Sequence, residues 1–84
     1  MTKEEIITAL KPLVGPYVLN QELLETYNET TDFVKDLEIN SANLVDIILD
    51  VEDEFDIEID DAGMEAMLTV QDAVQVIQTE LEKK

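Results

Sequence analysis

Eighty-four residues, 45% of them apolar, suffice for one small hydrophobic core and leave no room for a second. Twenty-one acids against five lysines set the net charge at −16, which excludes a nucleic-acid partner because phosphate binding needs clustered cations. The chain has neither cysteine nor histidine. Disulfides, thiolate metal sites, thiol nucleophiles and the commonest general base are therefore all missing, and neither a triad hydrolase nor a structural zinc domain is tenable.

Along the chain, Thr2 followed by Glu5 is a capping-box signature, with Ile6, Leu10 and Leu13 behind it at helical spacing. Pro12 is expected to kink or end this first helix, and Gly15-Pro16 to end it outright. Residues 17–32 read as a long loop, in which Asn20 caps a short helical turn carrying Leu23 and Leu24. A second helix is predicted over residues 41–55. Phe55, Asp56, Ile57, Glu58 and Ile59 then alternate apolar and acidic like a strand, but no second strand of comparable quality exists to pair with them, so an extended connector is expected. Asp60 or Asp61 caps a short third helix running to Ala66. Thr69 with Asp72 forms a second capping box, and Val70, Ala73, Val74, Ile77 and Leu81 follow as the stripe of the last helix. The sum is an all-α fold, a small antiparallel bundle of three main helices plus one short helix, with a long loop between the first and second helices. A single domain over residues 1–84 is expected. No apolar run approaches the ~20 residues of a membrane span, and no signal-peptide pattern opens the chain, so a soluble, cytoplasmic, monomeric protein without a membrane partner is expected.

The charge is lopsided. Residues 1–35 hold six acids and three lysines, whereas residues 36–82 hold fifteen acids and no base. On the second helix each residue turns by about 100°, which gathers Leu44, Ile47, Ile48, Val51 and Phe55 into a core stripe. The opposite side carries Ala42, Val45, Asp46, Leu49 and Asp53, flanked by Asp50 and Glu52. Aliphatics ringed by carboxylates resemble a protein-docking face, an apolar centre with a charged rim. The plainer alternative is that Val45 and Leu49 only widen the core stripe. A calcium loop of the EF-hand type fails on spacing: counted from Asp56, position 6 is Asp61 and position 12 is Met67, and counted from Asp50, position 6 is Phe55. No metal site is expected beyond weak, nonspecific divalent binding. Paired-carboxylate glycosidase chemistry lacks a cleft in so small a chain, so no catalytic residue is expected. Asn28-Glu29-Thr30 is a chance sequon.

Ser41, the single serine, lies where the loop meets the second helix. Without a histidine it is no activated nucleophile, but it can be modified, and the start of a helix favours an anionic group. Its plainer role is that of an N-cap. The flanking run Phe33-Val34-Lys35-Asp36-Leu37-Glu38-Ile39-Asn40-Ser41-Ala42-Asn43-Leu44-Val45-Asp46 is similar to the acyl carrier proteins, in which an F-x-x-D-L segment leads to a D-S-L motif. Residues 51–59 resemble that family's L-E-E-E-F-D-x-E-I pattern, and Thr69-Val70-Gln71-Asp72-Ala73 its T-V-x-x-A segment.

That resemblance implies a covalent 4′-phosphopantetheine arm on Ser41, taken from coenzyme A by a phosphopantetheinyl transferase, with an acyl group carried on the arm as a thioester. It implies a pocket between helices for the acyl chain. It further implies that acyl-transferring and chain-elongating enzymes with basic patches dock on Ala42, Val45, Asp46, Leu49, Asp50, Glu52, Asp53 and Glu54, in fatty-acid, polyketide or related biosynthesis. Two positions depart from the motif, Asn40 for the usual Asp and Ala42 for the usual Leu. With the longer loop before Phe33 and Pro12 inside the first helix, they suggest a carrier dedicated to one pathway rather than the housekeeping fatty-acid one. An aminoacyl or peptidyl carrier, or an unmodified adaptor on the same fold, are the alternatives.

Overall fold

The computed structural model describes residues 2–83. Four α-helices form: α1 (Lys3–Val14), α2 (Leu44–Phe55), α3 (Asp61–Ala66) and α4 (Val70–Glu82). Local chemistry starts each of them. Thr2 Oγ1 accepts from the Glu5 N–H while the Glu5 carboxylate accepts from the Thr2 N–H, and Thr69 and Asp72 make the same reciprocal pair before α4. Asp60, rather than Asp61, caps α3 through the Gly63 N–H. α2 ends on Asp56 in the left-handed conformation (φ 54°), a place where Asp substitutes for the usual glycine.

α1 packs against both α2 and α4, and α3 lies on α4. The core is filled by Ile6, Leu10 and Val14 of α1, Ile47, Ile48, Val51 and Phe55 of α2, and Val70, Ala73, Val74 and Ile77 of α4. Leu13 and Leu81, expected in the stripes, are only partly buried at the margins. In the connector after α2, Ile57 and Ile59 are buried while Asp56, Glu58 and Asp60 are exposed. Its alternation is thus satisfied by packing on helices, and among the described residues no strand forms beyond one isolated bridge between Asp32 and Thr69.

Three local expectations need correction. α1 does not end at Pro12 but runs to Val14; the proline lacks only the N–H that would reach the Thr8 carbonyl, and Thr8 and Pro12 are both exposed. The loop is also more structured than its composition suggests. A 3₁₀ turn (Gly15–Tyr17) continues from α1, while the short turn expected behind Asn20 does form, as a 3₁₀ helix (Gln21–Thr26) in which the Asn20 side chain accepts from the Glu22 N–H. The Tyr27 hydroxyl pins this loop by donating to the Ile7 carbonyl of α1 at 2.7 Å. Finally, residues 41–43 form a 3₁₀ turn, so the regular α2 helix begins at Leu44.

Candidate functional site at the head of the second helix

The chain approaching Ser41 is held from two sides. Asp32 Oδ1 accepts from the Val34 and Lys35 N–H groups, and Asp36 Oδ2 accepts from the Asp32 N–H, closing a tight acidic turn. That turn is laced to the start of α4. Phe33 N–H donates to the Leu68 carbonyl at 3.0 Å, Val70 N–H to Thr31 at 2.9 Å and Gln71 N–H to Glu29 at 2.8 Å. Leu37 and Ile39 then drop into the core on either side of exposed Glu38, which takes a positive φ of 54° to let both neighbours point inward.

Beyond this last anchor the chain turns outward, and Ser41 is exposed at the first position of the 3₁₀ turn Ser41–Asn43. The cap is Asn40. Its Oδ1 accepts from the Ala42 N–H at 2.9 Å and its carbonyl from the Asn43 N–H at 2.8 Å. Asn40 thus does the capping that Ser41 was a candidate for, and the serine hydroxyl stands free of it. Ala42 is exposed.

α2 presents two faces. Its inward stripe is the one periodicity predicts, with Leu44 partly buried at its end. On the outward face Val45 and Leu49 are 52% and 51% exposed, which rules out the alternative that they widen the core. Asp46, Asp53 and Glu54 are exposed around them. Two predicted rim acids are instead engaged within the fold. Glu52 is half-buried, and its Oε2 accepts from the Ile59 N–H at 2.8 Å, bracing the connector. Asp50 is half-buried too, its Oδ2 accepting from the Tyr17 hydroxyl at 3.0 Å. That bond, some desolvation and the charges of Asp50 and Asp46 hold the Tyr17 hydroxyl above the ordinary tyrosine range, so it stays a protonated donor. Tyr17 is the residue sequence reasoning missed. It lies 33 positions from its partner, and no local signal marks it.

A cleft of about 290 Å³ lies between α3 and α4, lined by Gly63, Ala66, Gln75, Val76 and Thr79 with Asp72 and Glu80 at its edges; nothing from residues 41–55 lines it. Among the described residues no group of three or more carboxylates could hold a metal ion. None of the described helices is long and apolar enough to cross a membrane.

A helical bundle that offers an exposed serine at the head of an acid-rimmed helix, with no catalytic constellation around it, has the architecture of a carrier domain. Comparison with known proteins makes the class specific. The family model described as the phosphopantetheine attachment site matches residues 18–77. An acyl carrier protein of Lactobacillus acidophilus is 40% identical over 80 residues, covering 94% of this chain and 96% of that one. Another, from Coprothermobacter proteolyticus, is 34% identical over 84 residues with 100% of both chains covered. The crystal structure of an acyl carrier protein from Thermotoga maritima matches with a TM-score of 0.80 at 25% identity, over 96% of this chain and 92% of that one. The chain belongs to the acyl carrier protein family. It is a carrier and not an enzyme, and its prosthetic group is 4′-phosphopantetheine.

Proposed function

We propose that Ser41 is the attachment point of the phosphopantetheine arm, and that the outward face of α2 is the surface that loading and acyl-transferring enzymes read. The observation carrying this reading is the division of labour at the turn. Asn40 satisfies the cap, so the Ser41 hydroxyl is exposed and uncommitted at the positive end of the α2 dipole. The residues fit the group. Ser41 and Ala42 are both exposed, so an arm on the serine can leave the turn toward solvent, and the Asn40 amide oxygen stays on the Ala42 N–H. Once bound, the arm supplies a thiol that holds an acyl group as a thioester.

Attachment joins Ser41 Oγ to the pantetheine phosphate of coenzyme A as the pyrophosphate bond breaks and the adenosine bisphosphate leaves. No histidine exists in the chain to take the serine proton, so the base belongs to the transferase. On the docking face, Val45 and Leu49 supply the apolar centre, and Asp46, Asp53 and Glu54 the rim that meets a basic patch, with Asp50 at its edge. Glu52 takes part through its brace on the connector. Service to fatty-acid enzymes is the pathway we assign ahead of polyketide assembly. It is supported by end-to-end likeness to acyl carrier proteins of similar length. A monomeric, cytoplasmic, single-domain carrier fits the −16 charge, which opposes self-association.

Incubation with coenzyme A and a promiscuous phosphopantetheinyl transferase tests the assignment by intact mass. Wild type gains one phosphopantetheine and Ser41→Ala gains none. A wild-type mass unchanged with several transferases would leave the unmodified adaptor as the reading.

A further inference from the structure

The Tyr17–Asp50 bond joins the turn after α1 to the middle of the recognition helix. Tyr17 closes the 3₁₀ turn that follows α1, where Pro16 fixes the backbone and buried Val14 and Val18 anchor either side. Its ring therefore has a set place. Asp50 has no comparable restraint of its own. It lies one helical turn from both Asp46 and Glu54, and no lysine occurs between residues 36 and 82 to hold it. Like charges on that edge would push an unheld carboxylate among rotamers. The phenol is a neutral donor, so it fixes the carboxylate without cancelling its charge. It takes only Oδ2, leaving Oδ1 with no partner among the described residues.

We propose that Tyr17 is a positioning residue for docking: its hydroxyl holds the Asp50 carboxylate in one orientation, with Oδ1 available to an arginine or lysine of the enzyme that loads or unloads the carrier. The recognition surface then extends past α2 onto the corner after α1. A preset carboxylate spares the complex the cost of ordering that side chain on binding. The proposal rests on the reading of α2 as the docking helix.

The test measures KM and kcat for loading of the full chain by a promiscuous phosphopantetheinyl transferase, with coenzyme A saturating. Tyr17→Phe removes only the hydroxyl. It should raise KM for the carrier by about three- to tenfold, the span expected for one side chain left to be ordered on binding, with kcat unchanged. Tyr27→Phe removes an equivalent phenol bond, to the Ile7 carbonyl, from the same loop; it should leave KM at the wild-type value. On an Asp50→Ala background, where there is no carboxylate to position, Tyr17→Phe should add nothing. A wild-type KM in Tyr17→Phe overturns the proposal, as does an equal rise in Tyr27→Phe or a full further rise on the Asp50→Ala background. If Asp46→Lys and Asp50→Ala raise KM while Tyr17→Phe does not, only the positioning role falls. If neither acid substitution moves KM, the docking reading falls with it.

Discussion

α2 and α4 are amphipathic helices of nearly equal length, 12 and 13 residues, and each buries four side chains against the same core. Their outward faces differ. α4 shows water Gln71, Gln75, Thr79 and Glu82, an ordinary solvated surface with one carboxylate. α2 shows Val45 and Leu49 about half exposed among Asp46, Asp53 and Glu54. The core needs only the inward stripe of each helix, and α4 shows what the other side looks like when nothing else is asked of it. Exposed aliphatics within a concentrated like charge contribute little to folding and oppose it electrostatically. Such a face makes sense as a surface that a cationic partner covers.

The largest effect should separate the two faces of α2 itself. Ile47→Ala in α2 and Ile77→Ala in α4 each empty a buried site and should cost about 2–5 kcal/mol in a denaturant titration. Leu49→Ala should stay within about 0.5 kcal/mol, as substitutions away from the core do. A Leu49→Ala loss close to that of Ile47→Ala would make α2 a core helix on both sides and erase the contrast.

The helix starts give the next contrast. Thr69→Ala removes half of a reciprocal box before α4 and should cost about 1 kcal/mol. At the head of α2, Asn40→Asp keeps the cap acceptor and Ala42→Leu adds a side chain where nothing is packed. The double substitution should leave stability nearly unchanged while speeding loading by a housekeeping transferase, since it rebuilds the D-S-L motif. Equal or slower loading would show that Asn40 and Ala42 are neutral departures.

Charge effects are smaller. Asp46→Lys relieves an i, i+4 like-charge pair with Asp50 and should raise stability by roughly 0.2–0.5 kcal/mol. Asp50→Lys should gain less, because it gives up the Tyr17 bond. Added salt should raise the thermal midpoint, since screening shortens from about 30 Å at 0.01 M to about 8 Å at physiological strength. Magnesium or calcium should do so more per mole by bridging neighbouring carboxylates. A midpoint flat with salt would contradict the claim that the acidic face is self-repelling.

The smallest effect lies at the far end of the molecule. Backbone and side-chain bonds from Thr2 hold the Glu5 carboxyl below its ordinary value. The box therefore contributes fully above the unfolded-state pKa and fades as pH falls through the folded one. A carboxyl titration by NMR should give Glu5 a midpoint below the ordinary glutamate value, and Thr2→Ala should bring it only part of the way back, because the residue-2 N–H, the larger cause, remains.

What could be read from the chain was local or periodic. Thr2 with Glu5 and Thr69 with Asp72 are contacts three residues apart, so spacing alone exposes them, whereas the cap of α3 stayed open between Asp60 and Asp61. The two faces of α2 follow from 3.6 residues per turn. What escaped depends on chain brought together from afar. The Tyr17 hydroxyl on Asp50, the Tyr27 hydroxyl on Ile7 and the lacing of residues 29–33 to the start of α4 span 20 to 42 positions. Glu52 was legible as an acid of α2, but its brace on the Ile59 N–H depends on how the connector folds back. Pro12 does not end α1 as one reading of it allowed; Thr8 and Pro12 are both exposed, and exposure is decided by packing rather than by local spacing.

The central claim, that enzymes read α2 and not the bundle surface at large, is tested most directly by the transferase KM for three variants. Leu49→Ala and Asp46→Lys alter the outward face of α2, and Gln75→Lys places a new lysine on the outward face of α4. The first two should raise KM about tenfold or more with unfolding midpoints at or above wild type, allowing for about 0.5 kcal/mol, while Gln75→Lys loads like wild type. Equal KM values for all three would contradict it, since the transferase would then dock elsewhere or fail to distinguish the two faces.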